Sequence, residues 1–105
     1  MRIVVAGIGG VGGFIGAHRC KLEDEVIFLA RGNHAERIRE TGLLVKEDEG
    51  EFMARPDSVV STEALEGEID LLLLCVKSYD MEAVLADLSR NITSSTIIVP
   101  FANGV

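Results

Sequence analysis

The sequence predicts an α/β fold of the doubly wound type, in which a mostly parallel sheet carries helices on both faces. Short β-branched and apolar runs, which suit strands buried on both faces, alternate along the chain with segments of helical spacing. Six glycines fall within the first 16 residues, after the first strand-like run and around the start of the first helical segment. Because the 105 residues contain no internal repeat or linker, we expect one domain over residues 1–105.

Apolar patterning sets the first three elements. Arg2–Ala6 is a short β-branched run without alternation, which is typical of a strand in a parallel sheet. Apolar residues recur at helical spacing over about residues 10–22, which predicts a helix with His18 on its apolar stripe. Glu25–Ala30 is a second apolar run and predicts the second strand.

Capping and turn residues bound the elements in the middle of the chain. Asn33 is a predicted N-cap for a helix over about residues 34–41, and Gly42 is predicted to terminate that helix. The runs Leu43–Lys46 and Phe52–Ala54 flank an acidic tip, which predicts a hairpin with a solvated turn.

The remaining segments complete the alternation. Val59–Val60 predicts a weak strand, and Thr62–Leu65 predicts one helical turn. Asp70–Val76 is the strongest strand pattern in the chain. Asp80 is a predicted cap for a helix that runs to about residue 88, and Thr96–Pro100 predicts the final strand.

Composition and charge exclude several classes of protein. The chain carries 17 acidic and 10 basic residues, and its net charge of −7 argues against nucleic acid as the main partner. No apolar run approaches the roughly 20 residues that span a bilayer, and the residues after Arg2 lack a signal-peptide pattern. Cys20 and Cys75 are far apart and lack metal-ligand spacing, so we expect reduced thiols and no metal site. These features predict a cytoplasmic protein without a membrane partner.

The glycine cluster contains a motif that carries chemistry. Six residues match GxGxxG directly after the first strand: Gly7, Ile8, Gly9, Gly10, Val11 and Gly12. In this pattern the first glycine permits a tight turn, the second lets the backbone approach a pyrophosphate, and the third lets the helix pack on the strand. The start of the following helix offers free N–H groups to phosphates. Strand, glycines, helix and second strand fall within about 30 residues, which favours Rossmann-like dinucleotide binding over a purely structural glycine turn.

The residue that follows the second strand indicates which dinucleotide is bound. An acidic side chain there would accept hydrogen bonds from the ribose of NAD or FAD. The chain instead has Arg31, whose guanidinium would fork onto a 2′-phosphate that a carboxylate would repel. We therefore expect NADP(H) rather than NAD(H), the alternative being an ordinary surface arginine.

Two further candidate residues follow later strands, at the edge where open α/β sheets bind ligands. Lys77 would pair with a cofactor phosphate or a substrate carboxylate, unless it is simply a solvated strand end. Asn103 would hydrogen-bond a ribose or a carbonyl substrate, unless it belongs to a plain Asn-Gly turn. His18 and His34 have no Ser or Cys partner at a recognisable nucleophile elbow, which argues against a hydrolase.

Four segments of the chain resemble the amino-terminal domain of ketopantoate reductases (2-dehydropantoate 2-reductases). They are MRIVVAGIGGVGGFIG, LARGNHAERIRETGLLV, CVKSYD and PFANGV, and together the resemblance covers essentially the whole chain. It implies NADPH-dependent reduction of ketopantoate to pantoate, a step in pantothenate synthesis.

The resemblance also implies roles for individual residues. The family's glycine loop, 2′-phosphate arginine, lysine and active-site asparagine fall on Gly7, Gly9, Gly12, Arg31, Lys77 and Asn103. One departure is Ala102, where family members often carry a polar or larger residue. The family's proton-donating lysine and substrate-binding carboxylate belong to a helical carboxyl-terminal domain that is absent from these 105 residues. We therefore expect the 105 residues to bind NADP(H) but barely to turn over.

Other functions stay open at this point. A related reductase would act on another 2-oxo acid, and a regulatory Rossmann module would sense nucleotides without catalysis. Sensor modules, FAD-binding domains and methyltransferases usually carry an acidic residue where Arg31 stands, so this position disfavours them. A small 2-oxo acid is the expected substrate, and the assembly is open, with a homodimer as one alternative.

Overall fold

The computed structural model describes residues 1–7, 18, 24–47 and 50–101. Within these ranges the chain forms a five-stranded parallel sheet, a two-stranded antiparallel hairpin and two helices. The parallel strands are β1 (Arg2–Ala6), β2 (Glu25–Leu29), β5 (Ser58–Val60), β6 (Leu71–Leu74) and β7 (Ile97–Pro100). The hairpin strands are β3 (Leu43–Glu47) and β4 (Gly50–Ala54), and the helices are α1 (Gly32–Thr41) and α2 (Ser78–Asp87).

The parallel sheet is built around β1. Its strand order is β5-β2-β1-β6-β7, so β1 pairs with β2 on one side and with β6 on the other. Ile3, Val4 and Val5 are fully buried, because both faces of this central strand are covered. An uninterrupted β-branched run suits this environment, in which no position faces water.

The two faces of the sheet carry different apolar clusters. On one face, Ile38 of α1 lies in a cluster with Val5 and Phe28. On the other face, Leu88 at the carboxyl end of α2 lies in a cluster with Leu72. Since side chains alternate between the two sides of a strand, neighbouring residues of β1 belong to different clusters. The predicted doubly wound α/β fold, with helices on both faces, is confirmed.

The predicted hairpin is also confirmed. In the antiparallel register of β3 and β4, Leu44 lies opposite Met53. Phe52 of β4 makes an edge-on contact with the ring of His18, with 5.3 Å between ring centroids and an interplanar angle of 64°. His18 has helical backbone, and the rest of the helix predicted over residues 10–22 lies outside the described residues.

The predicted cap of α1 is wrong. The helix begins at Gly32, and the N-cap is Arg31, whose side chain makes no capping hydrogen bond. The reason is the backbone of Gly32, whose φ of +65° is a left-handed conformation that glycine adopts readily. This turn places Asn33 inside the first helical turn. The end of the helix is as predicted, because Gly42 follows it and donates its N–H to the Ile38 carbonyl at 2.8 Å.

Two predictions in the second half of the chain are also corrected. Helix α2 begins at Ser78 with Lys77 as its N-cap, so Asp80 lies in the first turn and its N–H donates to the Lys77 carbonyl. An acidic residue there still interacts favourably with the helix dipole. The predicted helical turn at Thr62–Leu65 is a single hydrogen-bonded turn that does not continue as helix, closed by the Ala64 N–H on the Ser61 carbonyl at 3.1 Å.

The core makes a prediction about stability. Leu72 is fully buried in β6, so Leu72→Ala should lower the free energy of unfolding by about 2–5 kcal/mol through the cavity it leaves. Urea denaturation measures this change. Leu44→Ala is the control, since that side chain is 48% exposed, and we expect a loss below about 1 kcal/mol. Equal losses in the two variants would contradict the assignment of β6 to the core.

Candidate functional site

The candidate site lies where the strand order reverses. From β1 the chain continues to β2, which pairs with one edge of β1, whereas β6 pairs with the other edge. In this register Ala6, Leu29 and Leu74 end neighbouring strands at the same level. Open α/β sheets bind their ligands in the crevice outside such a switch point.

A cavity of about 200 Å³ opens at this edge. Its described lining comes from the ends of β1 and β2 and the residues directly after them, the residue pair that follows β5, and one residue each before and within α2. These residues are Ala6, Gly7, Leu29, Ala30, Arg31, Ser61, Thr62, Val76 and Val84. Apolar side chains predominate, and the polar groups come from Arg31, Ser61 and Thr62, a composition typical of small-molecule sites.

Gly7 shows how tightly the end of β1 packs against the end of β6. The Cys75 N–H donates to the Ala6 carbonyl at 2.8 Å, which holds the two strand ends together. Gly7 has a φ of +86°, and a Cβ there would lie 2.8 Å from the backbone carbonyl of Cys75. Real Cβ atoms do not tolerate this distance to backbone, so no side chain fits. Gly7 itself therefore has a backbone conformation and a packing that only glycine fits, while the rest of the turn predicted here lies outside the described residues.

The structure gives no geometry for the rest of the glycine motif or for Asn103. Ile8, Gly9, Gly10, Val11 and Gly12 lie outside the described residues, and so does Asn103. Their roles in binding stay predictions.

Arg31 lies at the rim of the cavity, directly before α1. The backbone before it is fixed, because the Ala30 N–H donates to the Val60 carbonyl at 3.0 Å. The Arg31 side chain is 69% exposed, and its Nη2 donates to Glu63 Oε1 at 2.9 Å. The cation predicted to meet a phosphate is thus at the site, with a carboxylate beside it.

Glu63 is a residue of the site that sequence reasoning missed. Its pKa is lowered by a hydrogen bond from its own backbone N–H, by the Arg31 guanidinium and by the Ser61 hydroxyl. The carboxylate is therefore ionised at neutral pH. The sequence carries a weak signal for it, namely an acid three residues after the strand that ends beside Arg31.

The loop that carries Glu63 is held through its carbonyl groups. The Arg90 guanidinium donates to the carbonyls of Glu63 and Leu65. Asn91 is 1% exposed, and its amide donates to the carbonyls of Leu65 and Gly67 at 3.2 and 2.9 Å. These side chains follow α2 and hold the segment that comes directly after the cavity-lining residues Ser61 and Thr62.

Lys77 stands one residue beyond the cavity lining. Val76 contributes to the wall, whereas Lys77 is exposed at the N-cap of α2 and is not among the described lining residues. The structure therefore brings Gly7 and Arg31 to one cavity and leaves Lys77 at its border.

Two other features bear on the chemistry. Cys75 is buried as a free thiol next to the end of β6, and burial raises its pKa, which makes it a poor nucleophile. In the part of the chain that the structure describes, no three His, Cys, Asp or Glu side chains are arranged to hold a metal ion. Among those same residues, no helix is long and apolar enough to cross a bilayer.

The sheet order, the helices on both faces and the cavity at the switch point define a Rossmann-like α/β domain, the class that binds dinucleotides at this edge. Residues 3–105 match the sequence model of the family described as ketopantoate reductase PanE/ApbA. The chain belongs to this ketopantoate reductase family.

Individual relatives agree with this membership. The chain is 33% identical over 104 residues to YkpB of Bacillus subtilis, an uncharacterized oxidoreductase. It is 40% identical to the 2-dehydropantoate 2-reductase of Porphyromonas gingivalis, with a TM-score of 0.84. It is 27% identical to a D-mandelate dehydrogenase solved with NADH and anilino(oxo)acetate, with a TM-score of 0.82.

These similarities cover nearly all of the chain but only part of each relative. The matches cover 99% of the chain for YkpB and for the Porphyromonas enzyme, and 100% for the mandelate dehydrogenase. The corresponding shares of the relatives are 34%, 39% and 34%. The chain thus spans a little over a third of the length of these relatives.

The packing at Gly7 makes a prediction. Gly7→Ala should destabilise the fold by about 2–4 kcal/mol, because it adds a steric clash with Cys75 to the strain of a left-handed backbone. Gly32→Ala is the matched control, since Gly32 is also left-handed but has no atom within 4 Å of the added Cβ. Its expected cost is about 1 kcal/mol. Chemical denaturation compares the two, and a Gly32→Ala loss as large as that of Gly7→Ala would contradict the clash.

Proposed function

We propose that residues 1–105 are the NADP(H)-binding domain of an enzyme that reduces 2-dehydropantoate (ketopantoate) to pantoate, a step in pantothenate biosynthesis. One observation carries the proposal. In a chain of the ketopantoate reductase family, the exposed guanidinium of Arg31 lies at the rim of a cavity that begins at Gly7.

The described residues fit a dinucleotide. Gly7 has no Cβ, which lets the backbone at the end of β1 pack directly against Cys75, as a tight turn at the first glycine of a dinucleotide-binding motif requires. The end of β2 supplies an apolar wall, and Ser61 and Thr62 after β5 add hydroxyls, a combination that suits the sugar of a nucleotide. We propose that Gly7 and Arg31, together with Ile8, Gly9, Gly10, Val11 and Gly12, hold the cofactor.

Arg31 supports NADP(H) in preference to NAD(H). A 2′-phosphate carries nearly two negative charges, and a guanidinium binds it through paired N–H donors. With a net charge of −7, the chain needs local donors to hold an anionic ligand. Arg31 is such a donor at the cavity rim.

The reaction also requires groups that orient the substrate and supply a proton. NADPH supplies a hydride when it is bound. We propose that Lys77 and Asn103 position the 2-oxo acid or the cofactor, with the Lys77 ammonium attracting the substrate carboxylate. The alkoxide that hydride transfer leaves needs a general acid, and we propose that this acid lies outside residues 1–105, in the carboxyl-terminal part that family members carry.

The proposal extends to the setting of the enzyme. The buried free thiol of Cys75 suits a reducing compartment, which supports the cytoplasm. The partner is a small 2-oxo acid rather than nucleic acid or a membrane, and a homodimer is an alternative assembly.

A second candidate is an NADH-dependent reductase of another 2-oxo acid. The D-mandelate dehydrogenase structure with NADH and anilino(oxo)acetate favours it, as does the acidic side chain of Glu63 beside Arg31.

Cofactor preference tests the main proposal. Arg31→Ala should raise the dissociation constant of NADPH about 10- to 100-fold, since it removes charge-assisted hydrogen bonds to the 2′-phosphate. The dissociation constant of NADH should change less than about twofold, because NADH lacks that phosphate. Isothermal titration measures both, with Arg37→Ala, an exposed arginine of α1, as the control. Equal affinity of the unaltered chain for NADPH and NADH would contradict the proposal and favour the second candidate.

Turnover tests the division of roles. Residues 1–105 alone should oxidise NADPH with ketopantoate at less than about 1% of the rate of the full-length Porphyromonas reductase, because a missing general acid costs about 10²- to 10⁴-fold. Absorbance at 340 nm follows the reaction, and titration of the same sample verifies cofactor binding. Turnover near that of the full-length enzyme would show that the acid lies within these residues.

A further inference from the structure

The ends of β2 and β5 direct Arg31 and Glu63 toward each other. The two strands pair in parallel, with Leu29 opposite Val60. The Ala30 N–H then donates to the Val60 carbonyl, so the chains are still joined where they leave the sheet. The register of the sheet thus brings Arg31 and Glu63 into reach of each other, and their Nη2–Oε1 distance is 2.9 Å.

The loop that carries Glu63 is held independently of Arg31. The Arg90 guanidinium binds the carbonyl of Glu63 itself, and Asn91 binds the loop on its far side. The Glu63 carboxylate also meets its own backbone N–H and the Ser61 hydroxyl, a residue of the cavity wall. These contacts keep the carboxylate next to Ser61, a residue of the cavity wall, independently of its pairing with Arg31.

A 2′-phosphate at Arg31 would place two anions on one guanidinium. An exposed ion pair is weak, and the two side chains are 69% and 66% exposed, so the phosphate would displace Glu63 rather than be excluded by it. The displaced carboxylate would remain nearby, well within the screening length of about 10 Å. NADH, which has no 2′-phosphate, would meet neither the competition nor the repulsion.

We infer that Glu63 is a second specificity-determining residue of this site: its carboxylate competes with the 2′-phosphate for Arg31 and so reduces the preference for NADPH over NADH. The inference rests on the proposed function, since it assumes that Arg31 receives the 2′-phosphate.

Titrations of NADPH and NADH test the inference without a need for turnover. Glu63→Gln should tighten NADPH binding about three- to tenfold at low salt, and should change NADH binding less than about twofold. Glu66→Gln is the matched control, because it removes the same charge from an exposed position three residues further along. It should leave both affinities within about twofold. In the Arg31→Ala background the gain from Glu63→Gln should shrink, because no guanidinium is left to compete for and only the repulsion between the carboxylate and the phosphate remains.

The outcomes separate the two proposals. If Arg31→Ala weakens NADPH binding but Glu63→Gln leaves it unchanged or weakens it, the inference is overturned and the proposed function stands. The inference is also overturned if Glu66→Gln tightens NADPH binding equally, or if Glu63→Gln tightens it undiminished in the Arg31→Ala background. Either result would show that the effect comes from the net charge of the protein and not from competition for Arg31. If neither dinucleotide binds the unaltered chain or the variants, the proposed function fails, and the inference fails with it. Thermal unfolding of each variant verifies that the fold is intact.

Discussion

The structure depends on the parallel pairing of β1 with β2 and β6. Backbone groups in an apolar interior must be hydrogen-bonded, and a strand that has partners on both edges and clusters on both faces satisfies that requirement. The same pairing aligns the ends of three strands and brings Gly7 against Cys75. The candidate site is therefore a consequence of how the core is assembled, and the loops inherit their positions from it.

The electrostatics of the site are local. A net charge of −7 describes the whole surface, but screening confines each exposed charge to its neighbourhood. At the cavity rim the relevant charges are Arg31 and Glu63, which nearly cancel each other when paired. Composition alone predicts that an anionic ligand is repelled. At the rim, however, the Arg31 guanidinium can attract such a ligand to an extent that depends on its pairing with Glu63.

Features that depend on residues close together in the sequence were predicted correctly. Features that depend on contacts between distant residues were not. The bounds of β1 and the position of the hairpin agree with the structure, because strand burial and turn chemistry are visible in short windows. The N-caps predicted at Asn33 and Asp80 are wrong, because entry into each helix is set by the preceding strand end and, for α1, by Gly32. The Arg31–Glu63 contact joins residues 32 positions apart, and no local pattern encodes that separation.

The way the loop beyond β5 is anchored has an evolutionary consequence. Arg90 and Asn91 donate hydrogen bonds to backbone carbonyl oxygens, which every residue has. The anchoring of the loop therefore does not depend on which side chains the loop carries. Residues such as Glu63 are therefore free to be exchanged without loss of the scaffold that presents them. In proteins with this architecture, single substitutions at the rim could therefore change the preference between NADPH and NADH without any change in the core.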